Sequence, residues 1–260
     1  MKFHQCLLAA ALTAASFLRA DTGAALPPSE WTVSSGFDYT TGKYGQSSST
    51  DILSIPVIGR YDTGRWTFKA TLPWTRISGP ADVVPDLGLI RHGRARATTQ
   101  TESGVGDLVT AATFNAVNQP DSISLDLTGK IKFGTASRSK GLGTGENDYS
   151  LQADVYQQVD ALTPFVTLGY RFLGDPPGIN LNNIWFASIG ASYRLTPPTS
   201  VGAVLDWQQK SSDGVDDVAE LTAFLTQKLN EPWKLQVYVL TGFTNASADF
   251  GVGGLVSYSF

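Results

Sequence analysis

Two histidines, His4 and His92, and one cysteine, Cys6, are the groups with which this chain could attack, ligate or shuttle protons. His4 and Cys6 fall in the first 20 residues, a stretch that reads as a leader. His92 stands among Arg91, Arg94 and Arg96. A serine hydrolase needs a histidine set against its serine to take the proton, and no periodic segment of the chain carries one. A rim-sited protease needs acidic pairs together with a histidine, a pattern that His92 alone does not supply. A His/carboxylate metal site is equally unsupported. Gly141, Gly143 and Gly145 suggest a phosphate cradle, but neither Lys-Ser/Thr nor a helical period follows. The P-loop reading therefore fails and the stretch reads as a flexible loop. The expectation is no enzyme, no cofactor and no metal.

What remains are charges set inside apolar segments: Arg60, Lys69, Asp126, Lys130, Lys132, Asp154, Arg171, Arg194, Asp206 and Glu220, with Lys228 and Lys234. A charge on a lipid-facing surface near the bilayer midplane costs roughly 2–4 kcal/mol for Arg or Lys. In a soluble core each charge needs a desolvated partner. A wet lumen lets mixed signs pair or stay hydrated, so these residues read as lumen-lining. Asp107, after Gly104 and Gly106, reads as a partner for a lumenal base.

The elements that hold them alternate at period 2. In 65–75, Trp66, Phe68, Ala70, Leu72 and Trp74 share one face, and Arg65, Thr67, Lys69, Thr71 and Thr75 the other. Twelve such segments recur, bounded by Gly, Asn, Asp and Pro: 30–41, 50–61, 65–76, 105–116, 122–133, 147–158, 163–173, 183–194, 199–209, 217–229, 233–244 and 248–260. After the leader no apolar run is long enough to span a bilayer as a helix. An even number of strands of this length, with short turns alternating with longer loops, is the pattern of an outer-membrane barrel. The expected fold is an all-β antiparallel transmembrane barrel of about twelve strands, with both termini periplasmic.

Residues 1–20 hold Lys2, a small apolar run to Leu18 and Arg19-Ala20, which reads as a secretory signal. Cleavage after Ala25 is a second option. Residues 21–29 form a linker and 30–260 the barrel. With Cys6 in the leader, disulfide and thiolate-metal chemistry drop out. The formal charge is −4, and the acidic balance without a basic run argues against nucleic acid as a partner.

The apolar face carries Leu53, Ile55, Val57, Leu127, Leu151, Leu168, Ile189, Leu205 and Val239, and aromatics crowd the segment ends, as an interfacial girdle requires. In the last segment Phe250, Val252, Gly254, Val256, Tyr258 and Phe260 alternate with Asp249, Gly251, Gly253, Leu255, Ser257 and Ser259. A terminal Phe260 preceded by Tyr258 is similar to the signature that outer-membrane proteins present to the barrel-insertion machinery.

Three stretches resemble the family named for the meta-pathway of phenol degradation, a group of outer-membrane barrels. They are Ser54-Ile-Pro-Val-Ile-Gly-Arg-Tyr61 running on to Leu72-Pro-Trp74, then Ser103-Gly-Val-Gly-Asp-Leu108, then Gly141 to Val159. The resemblance implies a transporter-like barrel that takes up aromatic or other small molecules, and it carries no catalytic residues. The combined expectation is a passive or facilitated route for small solutes, with aromatic or anionic compounds as candidates. The long loop from Ile77 to Gly104, with Arg91, His92, Arg94 and Arg96, is the candidate gate. Its arginines suit anionic solutes or lipopolysaccharide phosphates. The alternative is a filled structural or surface-binding barrel, and an outer-membrane enzyme is the weakest reading. Membrane lipid, lipopolysaccharide and the insertion machinery are the expected partners besides the solute.

Overall fold

The computed structural model describes residues 29–79, 83–84, 88–89, 100–117 and 123–260. The leader and the gate candidates Arg91, His92, Arg94 and Arg96 lie outside the described residues. Twelve strands form the wall. They are β1 (Glu30–Gly42), β2 (Thr50–Thr63), β3 (Trp66–Gly79), β4 in two segments (Gln100–Val105 and Leu108–Val117), β5 (Ile123–Phe133) and β6 (Asp148–Gln157). They continue as β7 (Leu162–Phe172), β8 (Ile184–Thr196), β9 (Thr199–Gln208), β10 (Val218–Asn230), β11 (Trp233–Gly242) and β12 (Phe250–Ser259). Each pairs antiparallel with its chain neighbours. The ring closes where β12 meets β1, from Thr32 opposite Ser259 to Thr41 opposite Phe250. Closure satisfies the backbone groups at both edges, which lipid cannot do.

Turns of a few residues join the strands at the rim where β1 starts and β12 ends, and loops of 7 to 14 described residues lie at the other, such as 43–49 and 134–147. We call these the short-turn rim and the long-loop rim. The segment expected at 105–116 is longer and broken. β3 runs on to Gly79 and β4 begins at Gln100, so both ends of the expected 77–104 loop are paired strand.

The alternation in sequence becomes two faces. Outward side chains such as Ile55, Leu127, Leu151, Leu168, Ile189 and Val239 are exposed, and their inward neighbours are buried or half-buried. On β8 the outward face runs from Trp185 to Tyr193. That is roughly 26 Å along the strand at 3.3 Å per residue, or about 20 Å along the axis of a tilted barrel, close to the height of an outer-membrane apolar band. Aromatic rings pack in pairs at both margins. Trp31 stacks on Tyr61 at 4.6 Å and Trp233 meets Tyr258 at 4.9 Å near the short-turn rim. Tyr170 meets Trp185 at 4.8 Å near the long-loop rim. Phe260 packs against Tyr258 at 4.9 Å, and its N–H donates to the Trp31 carbonyl.

Two prolines and a bulge interrupt the ladder. Pro56 and Pro73 lie opposite each other on β2 and β3, both facing inward. Proline cannot donate to a ladder. The β1–β2 pairing lapses at Gly36–Phe37 opposite Pro56, and the β3–β4 pairing lapses at Gly106–Asp107 opposite Pro73. At the second site β4 holds one residue more than β3, a β-bulge. The extra residue is what lets Asp107 turn inward.

The outward face makes the first test. Leu168→Arg puts a cation on the exposed mid-strand face, and chemical denaturation in phospholipid vesicles is expected to show a loss of about 2–4 kcal/mol. A change within about 0.5 kcal/mol, the usual scale for a soluble protein surface, would refute the lipid-facing assignment.

Candidate functional site

The inward wall brings the sequence-selected charges into register. Residues directly opposite on paired strands share a face, so a row of partners can be followed from strand to strand. One row runs Arg60, Lys69, Ala111, Lys130, Ser150, Arg171 across β2 to β7. A second runs Asn115, Asp126, Asp154, Thr167, Ser188, Asp206, Glu220 across β4 to β10. The tilt of barrel strands makes each row climb. Arg60 lies near the end of β2 at the short-turn rim, and Arg171 near the end of β7 at the long-loop rim.

The acids of the second row are held by donors. Asn115 Nδ2 donates to Asp126 at 2.6 Å, and Thr167 and Gln152 donate to Asp154 at 2.6 and 2.8 Å. Ser188 donates to Asp206 at 2.5 Å, and the Ala248 N–H to Glu220 at 2.8 Å. In the basic row, Arg60 makes a bidentate pair with Asp62, Nε to Oδ2 at 2.6 Å and a second N–H to Oδ1 at 2.8 Å. Lys69 and Lys130 are half-buried on the inward face. Arg171 is buried, donates weakly to Gln208 at 3.5 Å and lies 5.4 Å from the Phe186 ring centre. Arg194 sits apart at the short-turn rim, exposed, donating to the Asp160 carbonyl at 3.2 Å.

Sequence reading gave the lumen to polar residues and missed an apolar arc. Ile58, Phe165, Val204, Phe224, Tyr238 and Leu255 all face inward and pack together, each under 5% exposed, with Tyr156 against them. Three of the rings lie over glycines directly opposite: Phe165 over Gly190, Phe224 over Gly202 and Tyr238 over Gly253. A Cβ on Gly202 would stand 2.3 Å from the Phe224 ring, and one on Gly253 2.3 Å from the Tyr238 hydroxyl. The missing Cβ lets each ring lie flat along the wall, and Tyr238 reaches past Gly253 to donate to Asp38. Phe186 lies over Gly169 in the same way. The aromatic and its glycine sit on different strands, so only the inward parity of each hints at the pair.

The glycine-rich stretch also differs from the flexible loop expected. Leu142 is fully buried and packs with Ala136, Tyr44 and Ala248 against inward Ile52, Ile77 and Leu240. Three loops thus cap the long-loop rim. Burial pushes the Tyr44 hydroxyl well above its ordinary range, and it donates to Thr40 at 3.1 Å. Beneath the cap, Lys132 Nζ stands 3.4 Å from Asp107 and 3.1 Å from Asp148, and donates to Thr144 at 3.2 Å. Asp107 accepts the Ala136 N–H at 2.8 Å, and Asp148 accepts the Gly174 N–H at 2.9 Å. Gly143 packs so closely that a Cβ would stand 2.9 Å from Asp107. Asp107 and the glycine run, two separate stretches in the sequence, form one buried ionic clasp. The apolar Leu142 among glycines was the available sign.

A closed barrel with an apolar outer band and charged inner rows is an outer-membrane protein of the channel-forming fold. The chain belongs to the family described as "Putative MetA-pathway of phenol degradation", whose model matches residues 35–260. Its fold is similar to an outer-membrane channel from Pseudomonas putida F1, with a TM-score of 0.71 and 18% identity over 93% of this chain and 100% of that one. The KdgM porin, solved in complex with disordered oligogalacturonate, gives 0.54 at 11% identity over 88% of this chain and 99% of that one. The NanC porin gives 0.55 at 10% identity over 88% and 98%. No protein of curated function matches the chain in sequence.

The clasp makes a prediction about the cap. Lys132→Met leaves two buried carboxylates without their cation and is expected to lower unfolding free energy by about 3–5 kcal/mol. Trypsin should then cut faster after Arg138 and Lys140 in the loop. Unchanged cleavage of the folded variant would show that Lys132 does not pin the cap.

Proposed function

We propose that the protein is an outer-membrane channel for small solutes, with its short-turn rim facing the periplasm. The observation that carries this reading is the partial exposure of inward charges. Arg60, Lys69, Lys130 and Asp126 all keep part of their surface open on the inward face. In a barrel filled by its own side chains such groups would be as fully buried as Lys132 is between Asp107 and Asp148. The likeness to porins of two kinds supports the architecture, and the structure of one of them in complex with oligogalacturonate, a polyanion, supports an anionic solute.

The cap favours a second reading, a barrel held shut. The two meet if the clasped loop 134–147 is the gate in place of the arginine-bearing loop. The channel is then closed at the long-loop rim until solute or lipid displaces Leu142. Nothing in the wall calls for catalysis, since the charges serve each other and the solute path.

Planar bilayers test the proposal. The purified barrel is expected to conduct in KCl, and a variant carrying Lys69→Glu and Lys130→Glu should move the reversal potential in a salt gradient toward cations. Screening by salt should shrink the difference as ionic strength rises. A folded barrel with no conductance, with the loop 134–147 intact or shortened, would leave the filled structural barrel as the better reading.

A further inference from the structure

The lumen is lopsided. The arc from β7 through β12 to β2 is packed by Phe165, Val204, Phe224, Tyr238, Leu255 and Ile58, and it leaves little room for water. The arc from β2 to β5 keeps inward groups with open surface, and three of its cations lie on a single pairing row. We infer that the row Arg60–Lys69–Lys130 is an off-axis binding track for small organic carboxylates. The inference rests on the channel reading above.

Three features carry it. First, the spacing suits hand-over. Arg60 and Lys69 are directly opposite, and only Ala111 separates Lys69 from Lys130. Neighbouring strands lie about 4.8 Å apart, which puts the Lys69 and Lys130 Cα atoms roughly 10 Å apart. Their flexible stems let both ammonium groups turn to one anion. Ala111 places only a methyl group between them on the row.

Second, the track has a direction. It starts at the short-turn rim and climbs to Arg171, which is buried beneath the long-loop rim beside the cap. Like charges set directly opposite one another repel. Asp62 offsets Arg60, and a carboxylate between Lys69 and Lys130 adds to that compensation. Third, the acids on the neighbouring row do not compete equally. One oxygen of Asp126 accepts from Asn115, and both oxygens of Asp154 are taken, one by Thr167 and the other by Gln152. Two flexible ammonium groups whose Cα atoms stand about 10 Å apart also favour a dicarboxylate over a monocarboxylate, because each end finds its own ammonium group.

The experiment follows KCl current through single barrels while acetate, succinate or the neutral succinamide is added. Succinate is expected to reduce the current at about one tenth of the acetate concentration, the ratio that one further charge-assisted hydrogen bond supplies. Succinamide should have no effect. Lys69→Gln and Lys130→Gln should each raise the required succinate concentration about ten-fold. Arg76→Gln, on the outward face of β3, should leave it unchanged. Heat-modifiable migration on gels reports that each variant has folded. Equal action of succinate and succinamide, or glutamine variants that respond like the parent, overturns the track and leaves the channel standing. A folded barrel without current overturns both.

Discussion

Everything in this molecule depends on the meeting of β12 with β1. A sheet in lipid has nowhere to send the hydrogen bonds of its edges, and each unmet group costs several kcal/mol. Ten residues of the last strand find partners on the first, from Thr32–Ser259 to Thr41–Phe250. Gly36 sits so tightly there that a Cβ would run into the Gly254 carbonyl. Closure fixes the inside and the outside of the wall. Once both exist, the parity of each strand decides which side chains meet lipid and which meet the lumen.

Inside, the physics divides the circumference. Aromatic rings laid over opposed glycines fill one arc without strain on the backbone. The other arc holds charges in two climbing rows. Each acid accepts from an Asn, Gln, Ser or Thr side chain or, at Glu220, from the Ala248 N–H, and Arg60, Lys69 and Lys130 keep part of their surface toward the lumen. On the proposed channel reading, this division makes the passage one-sided. A symmetric pore of twelve strands would need small or polar groups on both arcs.

The bulge at Gly106–Asp107 ties the wall to the cap. Pro73 leaves a gap in the ladder, the extra residue fills it, and Asp107 turns inward to share Lys132 with Asp148. A buried cation between two carboxylates is worth keeping only where geometry satisfies every oxygen. The Ala136 and Gly174 N–H groups donate to the two carboxylates, and Lys132 donates to the Thr144 hydroxyl, so loop groups supply part of that geometry. Loop and wall are therefore one folded unit at this rim.

The sequence by itself determined the strand number, the alternation, the lipid face and the sorting of turns from loops, because side-chain parity is local and needs no partner to be read. The inward side of Arg60, Lys69, Lys130, Arg171 and Glu220 was legible for the same reason. Tertiary structure alone decided which of them stand in one row, since register is set by the pairing between strands and not by the pattern within one. It also decided that Leu142 is a buried cap and not part of a loose loop, and that Phe224 lies over Gly202. Those facts arise from residues of different strands and loops brought within contact. No period along a single strand encodes them.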